Sequence, residues 1–317
     1  GRFYWNKRTA DGLRRSIEDF RKALDADPSY ALAYVGLAEA YDVLGFYTVL
    51  PPHDAFPKAK AAAQRALEID PELAEARAPL AYAMHYFDWD WSGAENEYRR
   101  TLETNPNSSV VHLWFANLLT TSGRLDEGLA HFRRALELDP LSLIMNNAIG
   151  WLHYYARRYE EAIAEIQKPL EMDSSFTVSH WTLGLSYAGK GMEREALREV
   201  GEAVRISGED PFFLAALGRV QAMFGHREQA EQTLARLEAL RTSRYVSSYF
   251  LAAIPAALGD SDRAFALLER AFEERSHGLT FLGIDPGVDP LRSDPRFQAM
   301  LARVGISLPG EPAARVP

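Results

Sequence analysis

Small and apolar side chains recur along this chain in paired groups. Between Ser109 and Ser142 they fall at His112, Phe115, Ala116 and Leu119 and then, after a break, at Gly128, Phe132 and Ala135, with Pro140 closing the unit. Steps of three and four residues put each group on one face of a helix. Ser122-Gly123 supplies a left-handed residue to end the first helix, and Asp126-Glu127 set negative charge at the start of the second. The predicted element is a helix hairpin that cannot bury its apolar face alone and has to stack on copies of itself.

Those copies are present at a step of 34 residues. The second-helix pattern returns upstream at Ala94, Tyr98 and Pro106, at Ala59, Ala63 and Pro71, and at Ser16, Phe20 and Pro28. Downstream it returns at Ala162 and Ile166, at Ala196 and Val200, at Ala230 and Leu234, and at Ala264 and Leu268. A fixed period of this size marks a solenoid, here an array over residues 1–275 with seven whole hairpins after an incomplete one at 1–28. Gly123, Gly191, Gly225 and Gly259 share one turn position.

Three departures stand out. Extra residues at 46–57, including Phe46, Tyr47 and three prolines, are expected to project from the turn side. Pro169 and Pro255 fall inside helices and are expected to disturb their stacking. After Ser276 the repeat gives way to three Asp-Pro steps and a helix capped by Asp294 and ended by Gly305, so 276–308 reads as an end cap. Residues 309–317 read as a disordered tail.

This pattern of small residues, aromatics and proline resembles the tetratricopeptide repeat. The resemblance implies an all-α, right-handed α-solenoid of antiparallel helix pairs with a C-terminal capping helix. It implies a non-catalytic scaffold that binds a protein or peptide segment in a concave groove. Carried over by register, the groove positions are Tyr82, His85, Tyr86, Trp114, Asn117, Asn147, Trp151, Tyr154 and Trp181, an aromatic and amide set that is expected to be exposed. The lysine clamp of chaperone-binding relatives is absent, because its position holds Val35, Ala78, Leu113, Asn147 and Trp181. The stretches RFYWNKRTADGLRRSIEDF, FDWDWSGAENEYRR and DPLRSDPRF are further similar to the C-terminal repeat region of large bacterial signalling proteins. That similarity implies, as an alternative, a ligand-sensing arm controlling an attached winged-helix DNA-binding or kinase domain.

Composition narrows the choice. A net charge of -9 and a pI near 5.5, with no basic stripe, argue against nucleic acid as a partner. There are no cysteines, and no two of the eight histidines stand four apart on one helix, so neither metal nor cofactor is expected. No apolar run approaches the ~20 residues of a membrane span, and a cytoplasmic location is expected. The chain opens on Gly1, within what reads as a helix, and is taken as a piece of a longer polypeptide whose partial first repeat, with Phe3, Tyr4 and Trp5, offers a docking patch.

Overall fold

A computed structural model describes residues 1–306; the tail expected at 309–317 lies outside them. Among the described residues all regular structure is helical. A short helix α1 (Arg2–Asn6) and α2 (Ala10–Ala26) form the incomplete hairpin. Seven hairpins follow: α3 (Ala31–Phe46) with α4 (Pro52–Ile69), α5 (Arg77–Ala83) with α6 (Trp91–Thr104), and α7 (Ser109–Thr121) with α8 (Leu125–Leu138). Then come α9 (Leu143–Tyr155) with α10 (Tyr159–Met172), α11 (Thr177–Gly189) with α12 (Glu193–Ile206), α13 (Pro211–Met223) with α14 (Arg227–Leu240), and α15 (Ser248–Ala257) with α16 (Ser261–Glu273). Two 3-10 turns, His277–Phe281 and Pro286–Leu291, lead to α17 (Pro295–Val304).

The two helices of a hairpin differ in burial, and this orders the layers. On α8 only Gly128, Phe132 and Ala135 are buried, whereas α7 is buried continuously from Val111 to Thr121. A helix apolar all round must be covered on every side, so first helices form an inner layer and amphipathic second helices an outer one. Stacking is tied by a repeated bond to a carbonyl six residues earlier. His112 bonds Pro106 O at 3.0 Å, Asn146 bonds Pro140 O at 3.0 Å, and His180 bonds Ser174 O at 2.9 Å.

Every hairpin turns through one residue with positive φ. Four of these are Gly123, Gly191, Gly225 and Gly259, and the other four are Arg8, Thr48, Trp89 and Arg157. A side chain in this conformation costs about 1–2 kcal/mol. Asp90 and Asp294 cap α6 and α17 through their carboxylates, and Gly305 ends α17 with φ 77°. The helices α10 and α15 run on through Pro169 and Pro255.

The insertion at 46–57 does not project. It is absorbed by lengthening α3 and α4, and its aromatic residues turn inward because apolar rings are covered there: Phe46 lies 5.2 Å from Tyr86 and 4.6 Å from His277. His53 meets the carbonyl of Glu273 at 3.1 Å, and Trp91 donates to the carbonyl of Val304 at 2.9 Å. Trp89 packs on Phe272 at 5.0 Å beneath the Arg275 guanidinium at 4.3 Å. The first whole hairpins thus touch the last one and the cap, and the solenoid closes on itself.

Candidate functional site

Closure explains why the expected open groove is filled. Tyr82, His85, Tyr86, Trp114, Asn117, Asn147, Trp151 and Tyr154 are all buried, and only Trp181 is half-buried. The occupant is the chain's own segment 277–291, whose Phe281 ring lies 5.2 Å from Trp151, 5.2 Å from Tyr155 and 6.3 Å from Tyr86. Exposure of these nine positions was expected because the repeat register describes an isolated array, and it has no term for a cap that folds back inside.

Below Phe281 the segment is fixed by charge. Buried Asp285 accepts from the Tyr249 hydroxyl at 3.0 Å, the Gly287 amide at 2.7 Å and Arg219 at 3.4 Å. Arg219 donates in turn to the Tyr154 hydroxyl at 2.7 Å. Burial pushes the Tyr154 phenol up, so it remains a neutral partner. At the surface Arg157 pairs with Asp289 at 2.7 Å. Two of the four non-glycine turn residues, Trp89 and Arg157, therefore use their side chains to hold the C-terminal part of the chain.

The nominated residues divide in two. His85, Tyr86 and Tyr154 serve the internal packing, with His85 Nε2 bonded to Thr121 Oγ1 at 2.9 Å. Tyr82, Trp114, Asn117, Asn147, Trp151 and Trp181 line a cavity of about 60 Å³, together with Phe46, Tyr47, Phe212 and Arg8. This cavity opens into a mouth of about 960 Å³ at the edge where the N-terminal hairpin faces the loops before α11, α13 and α15. Arg8, Tyr47, Val178 and Phe212 line both spaces and join them.

Polar groups around the inner cavity are sparsely used. Asn147 bonds Ser179 at 3.1 Å and Thr182 at 3.4 Å, but the buried Oδ1 of Asn117 has no partner among the described residues. The Arg8 guanidinium lies 3.6 Å over the Trp5 ring, and its buried Nε has no acceptor among the described residues. Burial lowers its pKa from the usual guanidinium value, with Tyr47, Tyr82 and Glu39 opposing. Arg8, Arg219, Phe281 and Asp285 were not found from the sequence. The signal for Arg8 was its place at a turn position that glycine holds in other hairpins; the signal for the segment was the all-round apolar sequence of α9. No group of three or more His, Asp or Glu side chains is placed to hold a metal among the described residues. None of the described helices is long and apolar enough to cross a membrane.

Residues 90–142 and 113–175 match the tetratricopeptide repeat family model. No curated protein sequence matches the chain. A tetratricopeptide repeat protein from Parabacteroides merdae aligns over 80% of this chain and 93% of its own, at 14% identity and a TM-score of 0.54. The human IFIT1 dimer with PPP-AAAA aligns over 83% of this chain and 68% of its own, at 18% identity and a TM-score of 0.58. The APC/C hetero-tetramer Cut9-Hcn1 aligns over 82% of this chain at 14% identity and a TM-score of 0.57, and this chain spans 46% of that one. At such identities the likeness is one of fold: the chain is a tetratricopeptide-like α-solenoid, and tetratricopeptide repeats are found within residues 90–175.

Proposed function

We propose that the chain is a non-catalytic interaction scaffold that takes a segment of a partner protein at an open end of its groove. The repeat fold generally serves protein–protein interaction, and the observation that carries the reading is the mouth of about 960 Å³ leading to an aromatic cavity. Partner contact falls to Tyr82, Trp114, Asn117, Asn147, Trp151 and Trp181; His85, Tyr86 and Tyr154 act from behind by fixing the inner segment. Phe3, 68% exposed at the rim of the mouth, extends the surface onto the partial first repeat. Trp181→Ala tests the reading, because Trp181 is the half-buried member of the set and packs on Phe212 at the cavity's edge. Partner capture by the full chain should weaken while helical content stays unchanged; undiminished capture would remove the cavity from the account.

A second reading is favoured by the smallness of the inner cavity, about 60 Å³. In it the chain is a ligand-sensing arm of a bacterial signalling protein, governing an attached DNA-binding or kinase domain. It requires a small molecule that raises the melting temperature in proportion to its occupancy of the cavity.

A further inference from the structure

The guanidinium of Arg8 stands where the mouth narrows into the inner cavity, and one of its two faces is already covered. It lies 3.6 Å over the Trp5 ring, a separation at which a planar group must lie nearly flat, because tilting would drive its nitrogens into the ring. Trp5 is buried and borders neither space, whereas Arg8 borders both. The side of the guanidinium turned away from Trp5 is therefore what meets the junction. Its Nε edge is closed, since that atom is buried and has no acceptor among the described residues. With that edge shut off, Arg8 chiefly offers a flat, weakly hydrated cationic face.

The other residues bordering both spaces are Tyr47, Val178 and Phe212, and none is acidic. Tyr47, just past the end of α3, and Phe212, at the start of α13, meet edge to face at 6.3 Å. Two rings, a branched aliphatic side chain and the open face of a cation suit a π-system and reject a second cation. Resting on the ligand-sensing reading above, we propose that this junction binds a small, uncharged aromatic molecule. Its ring lies on the open face of Arg8, so that the guanidinium is sandwiched between the ligand and Trp5. Electron-rich rings of the indole and phenol class hold a cation best. Size fixes the place of the ring. A cavity of ~150 Å³ takes a benzene ring, and the inner cavity, of about 60 Å³, is too small for one. The ring stays on the mouth side, where about 960 Å³ is open, and only a substituent of roughly two or three heavy atoms passes inward.

The test uses the full chain and four probes, indole, phenol, cyclohexanol and benzoate, with dissociation constants from saturation-transfer NMR. Indole and phenol should bind. Cyclohexanol matches phenol in size but has no π-face, and should bind about fivefold more weakly or worse. Benzoate should bind no more tightly than phenol, since a stacked ring holds its carboxylate out of the guanidinium plane. Arg8→Met keeps an unbranched side chain without the charge; it should weaken phenol about tenfold and bring phenol and cyclohexanol level. If Arg8→Met does not fold, the wild-type comparison of phenol with cyclohexanol and benzoate still decides. Cyclohexanol as tight as phenol, benzoate tighter than phenol, phenol unmoved by Arg8→Met, or binding of none of the four would each overturn the proposal. Cyclohexanol as tight as phenol would leave the ligand-sensing reading standing, because a small molecule still binds. That reading itself falls when no small molecule raises the melting temperature.

Discussion

His277→Leu should raise resistance to acid. His277 is buried among the rings of Phe46, Tyr86 and Phe250, and His85 is buried against Tyr86 and Trp91. Burial pushes each imidazole from 6.5 down to about 3, and for His85 the nearness of His277 adds to the effect. The unfolded chain keeps the ordinary value near 6.5 and so takes up a proton at pH 5 that the folded chain refuses. Stability contributed by the neutral imidazole is therefore present above about pH 6.5 and is lost progressively as pH falls toward about 3. At 1.36 kcal/mol per unit, descending from pH 6.5 to 5 costs roughly 2 kcal/mol for each histidine. The wild-type pH profile alone is no clean measure, because burial raises the carboxyls of Asp42 and Glu39, which act with the opposite sign. The informative quantity is the difference between proteins, from urea unfolding followed by far-UV circular dichroism at pH 7.5 and 5.0. Whatever the variant's stability at pH 7.5, it should gain about 2 kcal/mol on the wild type at pH 5.0. A difference that stays constant between the two pH values would refute the reasoning.

Asp42 is fully buried with both carboxylate oxygens unpartnered among the described residues, and burial followed by the charge of Glu39 raises its pKa well above 3.8. The folded chain then holds a proton that the unfolded chain releases, so stability falls as pH rises above about 3.8. Asp42→Asn should be more stable than the wild type at pH 7 by about 1–3 kcal/mol, with the gain shrinking toward pH 4 in the same urea assay. A methyl at Gly184 would clash with Val200 Cγ2 on the facing helix, and one at Gly201 would meet nothing within 4 Å among the described residues. Gly184→Ala should cost about 1–3 kcal/mol and Gly201→Ala should add about 0.5–1, read as opposite shifts in melting temperature. Arg157→Gly relieves a φ of 59° and gives up an exposed ion pair worth at most about 1 kcal/mol, so its melting temperature should hold or rise. Trp89→Gly relieves the same strain but empties a buried ring site against Phe272, and should destabilise by about 3 kcal/mol.

What was legible in the sequence is what repeats. The hairpins, the caps at Asp90 and Asp294 and the glycine turns each depend on residues within one unit or its neighbour, and each has a local signature. Closure depends on pairs such as His53 with Glu273 and Trp91 with Val304, 220 and 213 residues apart, which no period relates. The inner face was half legible. The run LIMNNAIGWLHYY announced a helix wanted on every side, but its rings could be assigned equally to a ligand or to the chain's own Phe281. Arg8 escaped because it lies in a turn, outside the helical register that was carried over.

The contact of the opening hairpins with α16 and α17 has a consequence for how such a molecule can change. An open row of repeats can gain or lose a unit and forfeit only one interface. A row whose ends meet resembles the staves of a cask: its circumference, and hence the number of hairpins, is set by the curvature at each joint. Duplicating a 34-residue unit here would pull His53 away from Glu273 and Trp91 from Val304 at once, so this chain varies by substitution at fixed copy number.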